Sequence, residues 1–199
     1  MIVYVESNFV LELALVQEQA QDAELILKAA ERGAIDLAIP DVSLSEPFST
    51  TLLRSRTRER VVTQLNQQIQ DLNRSPRTAA QTAALQPIPA LLQQLDADEH
   101  LAVFTVAERL LRAGRSLRLD TATLAKARAF QTQFGLMPID AIIVSAVLID
   151  LAQQSHPSDH WFVSRNWRDF DDPGLRAELA RFNCSYAESF GSVTTRLPT

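Results

Sequence analysis

Four acidic positions stand where short apolar runs give way to a helix or a turn. Val3-Tyr4-Val5 runs into Glu6-Ser7-Asn8, and Ala38-Ile39-Pro40 is followed a turn later by Glu46. Met137-Pro138-Ile139 leads to Asp140, while Trp161-Phe162-Val163 ends in Ser164-Arg165-Asn166 with Asp169 just beyond. In an open parallel sheet the carboxyl ends of the strands share one edge, where α/β proteins bind their ligands. Acids far apart in sequence can therefore meet there. Carboxylates brought together repel one another, and a cation with oxygen ligands relieves that repulsion.

Each acid also has a purely structural reading. Ser7 or Asn8 could cap a helix, with Glu6 merely favouring its positive end. Ser43-Leu44-Ser45-Glu46 has the spacing of a capping box, and Pro47 suits a first helical turn. Asp140 could be an ordinary N-cap, although the Ala-Ile-Ile-Val that follows marks a buried helix. Asp169, Asp171 and Asp172 could be solvated turn residues before Pro173-Gly174. Asp120, after Leu119, reads as an N-cap rather than a fifth station. The joint pattern, more than any single acid, points to a site.

The elements that must position these residues alternate. Strands are expected at residues 2 to 5, 35 to 39, 116 to 119, 160 to 164 and 184 to 187. Helical spacing of Phe9, Leu13 and Val16 starts at Asn8, and a second helical run, 23 to 32, closes at Gly33. Further helices are expected from about 43 to 53, 97 to 113, 121 to 134 with Gly135 as its end, and 140 to 153. Strand and helix in alternation predict an α/β fold, a parallel sheet of four to five strands flanked by helices. Residues from about 54 to 98 differ. Arg54, Arg56, Arg58 and Arg60 precede a Gln- and Asn-rich stretch whose Val61, Val62, Leu65, Ile69 and Leu72 keep a helical stripe, and Asn73-Arg74-Ser75-Pro76 breaks it. The expectation is one domain over residues 1 to 199 with a helical insertion.

The 199 residues, 46% hydrophobic, suffice for one sizeable core. A net charge of −5 argues against a generic basic nucleic-acid binder, but not against an acidic site that handles phosphates through a metal. Lys28 and Lys126 are the only lysines, so arginine carries nearly all positive charge. The lone Cys184 leaves no intrachain disulfide and no cysteine-based zinc site. No signal peptide is visible, and the apolar stretch 141 to 151 is too short for a bilayer, so a soluble, cytoplasmic protein is expected. His100, His156 and His160 show no metal-ligand spacing. No Gly-x-Ser-x-Gly elbow and no glycine-rich phosphate loop is present.

An acid and Ser-Asn after the first strand, Glu at the head of an early helix, Pro-Ile-Asp-Ala-Ile-Ile, and the late Phe-Val-Ser-Arg-Asn-Trp-Arg-Asp-Phe together resemble PIN-domain ribonucleases, which include toxins of the VapC type. The likeness covers residues 2 to about 53 and 100 to 172. It implies metal-dependent cleavage of RNA phosphodiesters. Glu6, Glu46 and Asp140 would bind Mg²⁺ or Mn²⁺, and Asn166 or Asp169 would complete the pocket. Ser7, Asn8 and Ser164 would hold ligands or waters, and Arg54, Arg58 and Arg165 are candidates for RNA contacts. The resemblance also leaves room for an antitoxin-like protein partner or a homodimer, and implies no membrane. Two departures stand out: Glu6 replaces the family's usual Asp, and Asn166 stands where many members have an acid. The alternative is a PIN-like domain that no longer cleaves and binds RNA or a protein. A different α/β phosphate enzyme, such as a haloacid-dehalogenase-like domain, would want Asp-x-Asp at the first strand end, where Glu6-Ser7-Asn8 stands.

Overall fold

The computed structural model describes residues 1–154 and 158–198. His156 therefore lies outside the described residues. The chain divides into two compact units, one formed by Met1–Pro47 with Val103–Thr199 and the other by Phe48–Ala102.

The first unit is built on a five-stranded, all-parallel sheet of β1 (Ile2–Val5), β2 (Asp36–Pro40), β3 (Arg115–Leu117), β4 (His160–Val163) and β5 (Cys184–Ala187). The order is β3-β2-β1-β4-β5. Register pairs Tyr4 with Ala38 on one side and with Phe162 on the other, and Phe162 with Tyr186. Side chains alternate across a strand. Tyr4, Ala38, Phe162 and Tyr186 therefore share one face, buried with α6 (Thr121–Phe134) and α7 (Pro138–Leu151). Phe162 meets Phe170 edge-on there, with centroids 5.1 Å apart. Val3, Val5, Leu37, Ile39 and Val163 occupy the opposite face and are buried as well. On that side α1 (Ser7–Ala14) and α10 (Phe190–Thr194) meet through an edge-on Phe9–Phe190 pair. With both faces covered, the strands read as continuous apolar runs.

Several boundaries move from the sequence expectation, each for a local reason. Glu6 itself caps α1, its side chain accepting the Asn8 amide, so neither Ser7 nor Asn8 is the cap. The helix stops at Ala14, and Val16, at φ +49 and 80% exposed, is not part of an inward stripe; Phe9, Val10 and Ala14 are. Helix α2 (Ala20–Glu31) begins earlier than expected; Arg32 is its C-cap, and Gly33, whose φ is +71, turns the chain just beyond. β2 passes straight into α3 (Asp41–Asn73), a single helix of 33 residues. Nothing between residues 54 and 60 opposes helix, so the expected end near Leu53 does not occur. Pro47 consequently sits beyond the first turn, and no capping box forms. In α7, Pro138 takes the first turn after Met137, which places Asp140 inside the helix rather than at its cap.

The second unit holds most of α3, α4 (Pro76–Thr82), which Ser75 caps, and the start of α5 (Ile88–Ala113). Pro89 falls at the head of α5, where helix amides have no partner in any case, so α5 starts nine residues before the expected 97. Within this unit Arg58 forks onto Glu99 at 2.6 and 2.9 Å and reaches Asp96 at 2.5 Å. Of the expected stripe, Val62 and Ile69 are buried and Leu65 is partly buried, whereas Val61 and Leu72 are exposed. Among the described residues, no single helix is long and apolar enough to cross a membrane.

Candidate metal centre

The strand order fixes where a site can form. From β1 the chain moves to β2 and β3 on one side, then crosses to β4 and β5 on the other. The direction of winding reverses between β1 and β4, which opens a crevice beyond their carboxyl ends. Glu6 leaves β1 at this point, and Ser164 and Asn166 leave β4.

Glu6 is 3% exposed. Its Oε2 accepts the Asn8 backbone amide at 3.0 Å and the Ser7 hydroxyl at 2.8 Å. The same Ser7 hydroxyl lies 2.6 Å from Glu46 Oε2, so it bridges the first two acids. Glu46 owes this reach to the immediate start of α3 after β2. Glu6 Oε1 is buried and has no hydrogen-bond partner among the described residues. Burial pushes the Glu6 carboxyl upward, against the Asn8 amide and the Ser7 hydroxyl, which favour its charged form. A buried carboxylate oxygen without a donor is costly unless a cation or proton serves it.

Asp140, in the first turn of α7, is half-buried. Burial first, then the charges of Asp169 and Glu46, push its carboxyl to about 6, while a hydrogen bond from Asn166 opposes the rise. That bond runs from Asn166 Nδ2 to Asp140 Oδ1 at 3.3 Å. Asn166 heads α8 (Trp167–Phe170) without capping it through its side chain, which leaves the amide available to Asp140. Its backbone N–H donates to Ser164 Oγ at 2.9 Å, and the Ser164 carbonyl accepts the Tyr186 hydroxyl at 2.9 Å. Asp169 rides on α8 and contributes through its charge. Asp120 caps α6 by accepting Thr123 N at 2.8 Å, as its structural reading expects, and Asp172 caps α9 (Pro173–Ala180).

Glu6, Ser7, Asn8, Glu46, Asp140, Ser164, Asn166 and Asp169 thus belong to one neighbourhood. The three candidate arginines differ in their surroundings. Arg165 turns to Glu12 and Glu18. Arg58 is paired with Asp96 and Glu99 inside the second unit, and Arg54, also in that unit, is exposed. Glu12, 1% exposed on α1, escaped the sequence reading. Its signal was a charged residue three positions after Phe9, among the helix residues that with Phe9, Val10 and Ala14 face inward.

The donor chemistry fits a hard dication: carboxylate and amide oxygens, one of them buried without a partner. Among the described residues, no group of three or more His, Cys, Asp or Glu side chains is placed to hold a metal ion. Ser7 and Asn166 instead occupy the carboxylates with hydrogen bonds. Comparison of the chain with family models, curated proteins and solved structures returns no match.

Proposed function

We propose that this chain is a metal-dependent ribonuclease of the PIN type, cleaving RNA phosphodiester bonds in the crevice between β1 and β4. The observation that carries the reading is Glu6 Oε1, a buried acceptor without a hydrogen-bond donor, joined through Ser7 to Glu46, which with burial and Asp169 disfavours the charge of Asp140. Such an arrangement is costly alone and favourable around positive charge. Glu6, Glu46 and Asp140, with Asn166 and Asp169, would hold Mg²⁺ or Mn²⁺. When bound, the dication supplies Lewis acidity toward water and phosphate oxygens.

The chain's own residues do the positioning. Ser7 Oγ fixes Glu6 Oε2 and Glu46 Oε2 relative to each other. Ser164 Oγ holds the Asn166 backbone, so that the Asn166 amide faces Asp140. Outer partners of this kind typically govern about 10–100-fold in metal affinity or activity. A second reading, an inactive module that binds RNA or a protein, draws on the same hydrogen bonds, because they satisfy much of the acidic cluster without a cation. Binding of Mn²⁺ followed by calorimetry separates the two. The ribonuclease reading expects binding that Asp140→Asn weakens at least tenfold; no binding to the folded wild type would favour the inactive module.

A further inference from the structure

We propose that Glu12 is a positioning residue for this site: it locks the Arg165 side chain and so holds the Ser164–Asn166 turn against α1. The proposal rests on the ribonuclease reading for its catalytic consequence, but its structural claim stands separately. Glu12 lies in the second half of the helix that Glu6 caps; it is the only charged residue between Ser7 and Ala14 and is 1% exposed. Its Oε2 accepts the Gln19 backbone amide at 2.8 Å. Its Oε1 pairs with the Arg165 guanidinium, which also contacts Glu18 Oε2 at 2.8 Å.

Arg165 is the residue between Ser164 and Asn166. Glu12 is 1% exposed while Arg165 is 34% exposed, so removing the arginine would leave a buried carboxylate without its cation, which ties Arg165 to this place. The turn is then held by two contacts to other elements and one within itself. Arg165 anchors it to α1, Tyr186 donates to the Ser164 carbonyl, and Ser164 Oγ accepts the Asn166 amide. One helix therefore presents Glu6 and Ser7 at its start and, further along, fixes the loop that carries Asn166 toward Asp140. Arg165 acts as a strut in this arrangement. Its charge is already engaged by two carboxylates, and it is not a phosphate-binding group.

The two roles of Arg165 predict different kinetics. Loss of a phosphate contact would raise KM and leave kcat largely intact, whereas loss of positioning lowers kcat. The test compares wild type, Glu12→Gln and Arg165→Met by steady-state cleavage of a labelled single-stranded RNA with Mn²⁺. Amide hydrogen exchange at Asn166 is followed in the same proteins without metal. Glu12→Gln keeps the shape and an acceptor for Gln19 N while removing the charge. Expected for both variants is a kcat lower by about tenfold, KM within about twofold of wild type, and Asn166 exchange faster by about tenfold. A raised KM with unchanged kcat, or unchanged Asn166 exchange, would overturn the proposal. If Glu12→Gln does not fold, Arg165→Met decides by the same criteria. If wild type cleaves nothing, the ribonuclease reading fails by itself, and the exchange measurement alone judges the strut.

Discussion

Asp140 carries the clearest single-residue consequence. Its carboxyl, at about 6 in the fold against an ordinary 3.8, disfavours the charged form. In the metal-free protein this group therefore costs stability above pH 6. As pH falls from 6 toward 4 the folded state takes up a proton that the unfolded state does not, and the cost is relieved. Asp140→Asn should accordingly leave the metal-free protein as stable as wild type at pH 7 or roughly 1–2 kcal/mol more stable, after allowance for solvent screening. The same variant should lower RNA cleavage by more than about a hundredfold if the residue holds the metal. Thermal melts at pH 5 and 7 check the first statement: the difference between variant and wild type should shrink at pH 5. At this scale the sequence was informative about acids at strand ends, because a chemical type at a chain boundary is a local signal. It was silent about Ser7 bridging two of them and about Glu12 reaching Arg165, since those contacts join segments 39 and 153 positions apart.

Among elements, the sheet strands and α6 were legible because each combines an unbroken apolar or periodic run with a clear end, such as Gly135 at φ +68. The start and length of α3 were not. Pro47 looked like a first-turn proline, yet β2 hands over to the helix at Asp41 without a loop. That shift removes the capping role from Glu46 and gives its carboxylate to Ser7. Gly114, between α5 and β3, is an element-level requirement of another kind. A Cβ there would stand 2.5 Å from the Leu37 carbonyl oxygen of β2. Gly114→Ala should therefore destabilise the fold by roughly 1–3 kcal/mol, because backbone must shift to admit the methyl group. A lowered melting temperature with an unchanged helical spectrum in the cold would bear this out, and an unaltered melt would not.

For the whole molecule, alternation of strands and helices was enough to specify a parallel α/β sheet, but the strand order came from the structure, and with it the crevice between β1 and β4. The sheet is also pinned away from that crevice. Arg115 of β3 forks onto Asp150 of α7 at 2.5 and 2.6 Å, and the Tyr4 hydroxyl of β1 donates to Asp150 at 2.7 Å. Burial raises the Asp150 carboxyl, but Arg115 and Tyr4 outweigh it and hold it below the usual range. The sign is opposite to that of Asp140: Asp150 stabilises above the ordinary carboxylate pKa and loses this as pH falls through its lowered value. Asp150→Asn should cost roughly 1–3 kcal/mol at pH 7, read as a lower urea midpoint with an unchanged slope. RNA cleavage should be far less affected than by Asp140→Asn, because Asp150 lies outside the acid cluster. The central claim, that the crevice is a metal-dependent ribonuclease site, is tested most directly by incubating a labelled single-stranded RNA with the purified protein in Mg²⁺, in Mn²⁺ and in EDTA, with Asp140→Asn alongside. Cutting that requires one of the ions and disappears in the variant is the predicted result. Cutting that survives EDTA or persists in the folded variant, or no cutting by well-folded wild type with either ion, would contradict it.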